Sequence, residues 1–392
     1  LDRCILKPAE IYLRIYHRDD QRFRLEGHLW NGLHNIYHQD SLFVETSLMM
    51  RSFDAEKLDQ FVELSPEEQK KTWLKLENKD FYYDKLLIAT GSSNRYLIIS
   101  GKKILPTNNI IYLRNFEESH YLKNRIEKAK NISIIGGGFI GLEIASSASQ
   151  KGKKITILEK GSQLMGRVVP SEIAKLIQKK HEDVGTKIHL NVNIDSIKKN
   201  KDLLHIYHSN NEELKSDLII IGVGSEPNTK IFENTSLKID NGVVTNEFCE
   251  TSIEDVYAAG DVSNFYHPFY NFYMRLESYK HAQNHGINAG KNLIGNKISY
   301  DKIPWMWSDQ FNLNLQLTGI CSEYEAFAQR GSTLEEGIIY FFLKNRKIIG
   351  ACGLGVGGKI GRDIRLAGKI SENKIKVTKE FLSDKINKLN KI

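Results

Sequence analysis

Cysteine is scarce in this chain and never paired. Cys4, Cys249, Cys321 and Cys352 are the only four in 392 residues, and no two of them form a Cys-x-x-Cys motif. That spacing argues against a thiolate zinc site and against a disulfide-stapled secreted scaffold, and it suits a reducing compartment. Long apolar runs are absent too: no stretch reaches the roughly 18 residues that a membrane-spanning helix needs. The opening "LDRCILKPAE" lacks both the apolar core and the small-residue cleavage site of a secretory signal, so the expected location is the cytoplasm. No Pro- or Ser-rich linker and no repeat of solenoid period occurs, so domain boundaries must be read from changes of pattern. No basic cluster is interleaved with stacking aromatics, which argues against a nucleic-acid partner.

What remains is the composition of an ordinary globular protein, 41% hydrophobic and 26% charged, with a net charge of +7 spread over lysines along the chain. Such a balance is either plain solvated surface or a field that draws in an acidic protein partner. The length exceeds that of one ordinary core and implies two or three domains.

The clearest signal is "NISIIGGGFIGLEIASSASQKGKKITILEK", residues 131–160. An apolar strand runs into Gly136, Gly138 and Gly141 in GxGxxG register, a helix follows from Phe139 to Lys151, and the strand "KITILE" ends at Glu159. In such a βαβ unit the first glycine permits the tight turn. The second lets the backbone approach a pyrophosphate, and the third lets helix and strand pack closely. Phosphate then rests on the free amides of the helix N-terminus. Glu159 stands where a carboxylate hydrogen-bonds the adenosine ribose and would repel a 2′-phosphate, which favours NAD over NADP. The competing reading is a merely structural glycine turn.

Around this unit the pattern predicts an alternating strand, an Asn-Lys-Asp turn and the apolar strand "KLLIATG" within residues 71–91, and a helix over 116–130. It also predicts an amphipathic helix from Ser171 to Val184 with Ile173, Leu176, Ile177 and Val184 on one face. Strands lead on to "SDLIIIGVG" and "DVYAAGDV", a helix covers 275–295, and an antiparallel sheet followed by helices fills the chain from Ile303 onward. His281 and His285, four apart on a helix, read as solvated surface, and no metal site is expected.

The order "LLIATG", GxGxxG, "VYAAGDV" resembles the two-dinucleotide flavoprotein reductases. "RLESYKHAQNHG" and "IPWMWSDQFNLNLQLTG" narrow the resemblance to the oxygenase-type ferredoxin reductases, over roughly residues 71–392, with "WSDQ" its most specific part. The resemblance implies an α/β fold with two Rossmann-like dinucleotide-binding domains, the first incomplete, and a C-terminal α+β domain. FAD would occupy residues 1–115 with 237–300, NAD residues 116–236, and the reductase C-terminal domain residues 301–392. It implies that Thr90 and Gly91 mark the exit from the FAD domain and Gly260 and Asp261 the return to it. Asp261 would bind the ribityl chain, Tyr279 would lie against the flavin through its backbone, and Arg114 would contact the flavin nucleotide. Trp307 would line the space where nicotinamide meets isoalloxazine, Gly222 and Gly224 would border the NAD site, and Glu143 would lie near the nicotinamide. Taken alone, Asp261 also suits a helix cap and Trp307 a small sheet core.

The implied activity is transfer of electrons from NADH through FAD to a small acidic ferredoxin or rubredoxin, by a monomer or homodimer that needs no nucleic acid and no membrane. Lack of two nearby cysteines disfavours disulfide reduction. In the family a further GxGxxG, for the ADP half of FAD, and an Arg-Pro-Pro-Leu-Ser-Lys-type segment open the chain. Neither occurs in residues 1–70. The flavin is therefore expected to bind weakly, and the rival reading is an NADH-binding, flavin-deficient scaffold.

Overall fold

The computed structural model describes residues 83–392 apart from 167, 202, 210 and 211, together with the backbone of the strands Arg14–Ile15, Trp73–Leu76 and Lys79–Tyr82. Expectations about flavin motifs in residues 1–70 therefore lie, but for Arg14–Ile15, outside the described residues. The described residues divide into two compact units, one holding 94–225 with 302–392 and the other those from Arg14 to Ser93 with 226–301.

A five-stranded parallel sheet organises the first unit, in the order Lys187–His189, Lys154–Leu158, Asn131–Ile135, Leu218–Ile221, Ile110–Tyr112. Its inner strands are apolar almost throughout, "NISII" and "LIII" being buried from Ile132 to Ile135 and from Leu218 to Ile221. Both faces of a parallel sheet are covered, so alternation is lost. Ile110–Tyr112, which the sequence reading assigns to the FAD segment ending at residue 115, is an edge strand of this sheet, paired with Leu218–Ile221. All three of its residues are buried.

Three helices cover the sheet, and each starts for a legible reason. Phe116–Lys128 opens with a capping box in which Asn115 and Glu118 satisfy each other's backbone amides. Phe139–Gln150 springs from the glycine turn. Ser171–Asp183 buries Ile173, Ala174, Ile177 and His181. Val184, expected on that face, is instead the exposed residue that ends the helix. His181, four beyond Ile177, completes the stripe.

An antiparallel meander of Ile194–Asn200, Leu203–His208 and Glu212–Ser216 follows. Then comes a five-stranded antiparallel sheet, in the order Trp305–Gln310, Leu313–Gly319, Lys347–Val356, Ile338–Lys344, Ala326–Arg330. One face of it, with Leu313, Leu315, Leu317, Tyr340 and Leu354, shares a core with Ile134, Leu142, Ile157 and Ile173 of the parallel-sheet layer. Its other face packs Phe341 and Ile348 against Ile364, Ala367 and Ile370 of the helix Gly361–Glu372. The C-terminal segment is thus sealed to the nucleotide-type sheet by apolar burial, the main stabilising term in such a layer.

In the second unit Leu86–Ile88 lies between Arg14–Ile15 and Val256–Ala258, parallel to the latter. The helix Tyr279–Leu293 is capped by Ser278, whose hydroxyl accepts from the His281 amide. His281 and His285 are not solvated, contrary to the sequence reading. Both are buried, stacked around Phe265 and Tyr300. A histidine four residues from another marks a helix face, but only the packing partners decide whether that face is wet.

Candidate functional site

The glycine turn of the first unit uses its three glycines for three different reasons. Gly136 adopts φ +107°, and a Cβ there would lie 2.3 Å from the carbonyl oxygen of Gly222. Gly141 presses the helix onto the turn so closely that a Cβ would meet the Gly136 carbonyl oxygen, also at 2.3 Å. Gly138 is unlike both: a Cβ on it would meet nothing within 4 Å. It caps the helix Phe139–Gln150 with no side chain of its own, so open space lies beside backbone amides at a positive helix end. That is the cradle a pyrophosphate needs.

Glu159 stands beside this cradle. Its Oε2 accepts from the Gly137 amide at 2.5 Å and its Oε1 from the Gly161 amide at 2.6 Å. A carboxylate offers about four lone-pair sites, so two bonds leave capacity for ribose hydroxyls. Gly222 closes the far side of the turn, its amide donating to Ile135 at 2.8 Å, and Gly224 follows with φ +109°.

The same helix carries Glu143 to the C-terminal sheet, where the Ser308 hydroxyl donates to its Oε1 at 2.5 Å. Next to Ser308 stands Trp307, which is 41% exposed and stacked on Trp305 at 5.1 Å. Ser308 and Trp307 are neighbours on the strand Trp305–Gln310, so their side chains leave opposite faces: Ser308 is buried against Glu143, whereas Trp307 is exposed beside Trp305. Arg114 lies at the start of the helix Phe116–Lys128, its backbone amide donating to Glu118.

In the second unit the motifs "ATG" and "GD" sit at the carboxyl ends of neighbouring parallel strands, Leu86–Ile88 and Val256–Ala258. Ligands of open α/β sheets bind at such ends. Ser92 donates to Asp261 Oδ2 at 3.1 Å, joining the two motifs directly. Thr90 Oγ1 donates to the Asn228 carbonyl at 2.9 Å, and Asn228 Nδ2 returns a bond to the Thr90 carbonyl at 2.7 Å. Asn228 also donates its amide to Gly91. Gly260 turns with φ +79°, and its amide donates to Nδ1 of His285 at 3.2 Å. Asp261 lies inside a short 3-10 turn, Gly260–Val262, rather than at a helix cap. Tyr279 opens its helix with the side chain half exposed. Sequence reading missed Ser92, Asn228, His285 and Ser308. Ser308 is the serine of "WSDQ" and His285 lies within "RLESYKHAQNHG", but no role was assigned to either, while Ser92 follows "ATG" directly and Asn228 lies four residues beyond Gly224.

Among the described residues the thiols are Cys249, Cys321 and Cys352, and they are chemically quiet. Cys249 is pushed up to about 12 by burial, and so is Cys321. The strands do bring Cys321 close enough to Cys352 for its charge to raise the latter's pKa, although in sequence they are far apart. Burial raises Cys352 further, so neither offers the thiolate that dithiol exchange requires.

The sequence profile of the pyridine nucleotide-disulphide oxidoreductase family matches residues 31–286, and that of the reductase C-terminal region matches 305–392. The likeness therefore begins well before residue 71, where the sequence reading starts it. The chain is 31% identical over 268 residues to a rubredoxin-NAD(+) reductase of Ectopseudomonas oleovorans, covering 68% of this chain and 69% of that protein. To the putidaredoxin reductase of Pseudomonas putida it is 27% identical over 270 residues, 68% of this chain and 64% of the relative, so it spans just under two thirds of that protein. The ferredoxin reductase from Rhodopseudomonas palustris superposes with a TM-score of 0.76 at 30% identity, over 84% of this chain and 80% of that one. The reductase in a covalent putidaredoxin reductase–putidaredoxin complex shares the fold, with a TM-score of 0.77 at 24% identity over 84% of this chain and 79% of that one. With a glycine turn in one unit, paired strand ends in the other and both profiles matched, the chain belongs to the pyridine nucleotide-disulphide oxidoreductase family, in the form that carries a reductase C-terminal domain.

Proposed function

We propose that this protein is an FAD-containing oxidoreductase that takes electrons from NADH and delivers them to a ferredoxin- or rubredoxin-type iron-sulfur protein. One observation carries the reading: Ser92 and Asp261 tie the "ATG" and "GD" strand ends together in one unit, while an open glycine cradle with its carboxylate stands in the other. A protein that only bound NADH would need the second of these and not the first. The relatives named above are all reductases, two of them of a rubredoxin or putidaredoxin.

The residues fit both nucleotides. Gly138 leaves room for the NAD pyrophosphate against the helix amides, and Glu159 accepts from its adenosine ribose. Gly222 and Gly224 border that site, with Glu143 toward the nicotinamide end. Asp261, held by Ser92, offers its carboxylate to the ribityl hydroxyls of FAD, with Thr90, Gly91 and Gly260 supplying backbone at the strand ends. Tyr279 would lie against the flavin through its backbone, and Arg114 would be a contact to the flavin nucleotide. The functional division is FAD at 1–115 with 237–300, NAD at 116–236 and the reductase domain at 301–392.

When bound, the flavin accepts a hydride from NADH and releases electrons singly, chemistry that belongs to the cofactor. The chain's own part is to position and to exclude water. The Trp305–Trp307 pair presents a flat apolar surface on one face of its strand, and the Ser308–Glu143 hydrogen bond lies on the other. That bond fixes the carboxylate's orientation. No side chain has to move a proton, and no thiol takes part.

The protein acts in the cytoplasm as a monomer or homodimer, its acceptor being a small acidic protein. Among the described residues no helix is long and apolar enough to cross a membrane. The test is the visible spectrum of the purified protein supplied with FAD, before and after anaerobic NADH. Flavin absorbance that NADH bleaches supports the reading, and NADH binding without it favours the flavin-deficient scaffold.

A further inference from the structure

Three ligating side chains converge in the first unit, none of them among the nucleotide-binding residues named above. His189 ends the edge strand Lys187–His189 of the parallel sheet, His208 ends the meander strand Leu203–His208, and Glu212 begins the next, Glu212–Ser216. One ligand atom from each lies within 4.8 Å of the other two. The imidazoles of His189 and His208 face one another at 5.6 Å between centroids, tilted by 58°.

His208 is the telling member. Only 1% of it is exposed, yet neither Nδ1 nor Nε2 has a hydrogen-bond partner. Its nearest carboxylate oxygen, Oε2 of Glu212, stands at 3.8 Å, outside hydrogen-bond range. Buried polar groups are nearly always satisfied, and a ring with both nitrogens bare asks for an explanation. A metal ion supplies one: imidazole nitrogens bind it through the lone pair that is otherwise wasted.

We infer that His189, His208 and Glu212 bind a divalent transition-metal ion of the zinc class. Two imidazoles and one carboxylate are a ligand set for zinc, nickel or cobalt rather than for calcium or magnesium, which prefer oxygen. Three protein ligands leave a fourth position for water. Metal–ligand bonds of about 2.0–2.2 Å in tetrahedral geometry hold ligand atoms roughly 3.3 Å apart, so side-chain rotations of an ångström or so close the site. Glu212 is exposed and free to make that adjustment.

The site joins two sheets of the same unit. His189 belongs to the parallel sheet, and its carbonyl accepts from the Glu159 amide at 2.9 Å, whereas His208 and Glu212 belong to the meander. A bound ion is therefore a clamp between the two. The sequence gives no hint of it, because the residues lie on three strands and fit no ligand-spacing motif.

The test uses the full chain, stripped of metal by chelation and titrated calorimetrically with zinc ion. One ion per chain is expected, with a raised melting temperature in its presence. Cobalt ion as a substitute should give the visible bands of a tetrahedral site. Glu212→Ala removes an exposed side chain and leaves the fold intact, so it separates ligation from folding. It and His189→Gln should each weaken zinc binding at least tenfold and abolish both the thermal shift and the cobalt bands. Wild-type protein that binds no stoichiometric zinc overturns the inference, and so does either variant binding as tightly as the wild type.

Discussion

The backbone amide of Gly260 donates to Nδ1 of His285, a fully buried ring, at 3.2 Å. Protonation would put a second donor on that nitrogen, facing the first. His285 is therefore a base that must stay neutral for the Gly260–Asp261 turn to hold its shape.

Acid should unfold this unit through its buried histidines. Burial, then the nearby His267 ring, lowers His281 to about 3, and burial lowers His285 well below 6.5. In the unfolded chain both titrate near 6.5. With the folded values depressed, stability is complete above about 6.5 and is lost as pH falls below it, for His281 down to about 3 at about 1.4 kcal/mol per pH unit, with His285 acting in the same direction. Urea midpoints measured between about pH 7 and about pH 5 should fall, and His281→Gln should flatten the slope. An unchanged slope in that variant would remove His281 from the account.

NADH should bind more tightly than NADPH, because the Glu159 carboxylate repels a 2′-phosphate. Glu159→Gln, which keeps the shape and drops the charge, should bring the two affinities together. Glu159→Ala should also destabilise the fold by about 1–3 kcal/mol, because the Gly137 and Gly161 amides lose their acceptor. Fluorescence titration with both nucleotides decides the first point, and a denaturation curve the second.

The three glycines should fail in different ways. Gly138→Ala enters open space, costs the fold less than about 1 kcal/mol and weakens NADH binding by intruding where the pyrophosphate lies. Gly141→Ala and Gly136→Ala meet a carbonyl oxygen at 2.3 Å and should destabilise by at least about 1–3 kcal/mol. Equal effects of all three on the melting temperature would contradict this assignment of roles.

Delivery to an acidic iron-sulfur acceptor should slow as salt rises, by roughly tenfold or more between low and high ionic strength if charge steers the encounter. Reduction of a neutral quinone by the same enzyme serves as the control and should stay constant. A salt-insensitive rate with the protein acceptor would mean that the net charge of +7 is ordinary solvated surface.

The nucleotide-type half of the fold was legible because its signals are local. The helices expected at 116–130 and from Phe139 to Lys151 appear as Phe116–Lys128 and Phe139–Gln150, set by a capping box and a glycine turn. Glu143 and Trp307 came only from resemblance, and nothing in their spacing announces that Ser308 binds Glu143 on the strand face opposite Trp307. His281 and His285 were misread because periodicity reports a face but not its partner, and the partners Phe265 and Tyr300 come from other segments. The pairing of Ile110–Tyr112 with Leu218–Ile221 was not legible either, because a three-residue strand takes its sheet from its partner, not from its own composition.

The most direct test of the central claim is anaerobic electron delivery: NADH, FAD, this protein and an oxidised rubredoxin or ferredoxin, followed by the loss of the acceptor's visible absorbance. The account predicts reduction that requires NADH, FAD and the protein together, and that drops when Asp261 is replaced by Ala. Acceptor reduction that proceeds equally without FAD, or NADH binding with no reduction of flavin or acceptor, would contradict it.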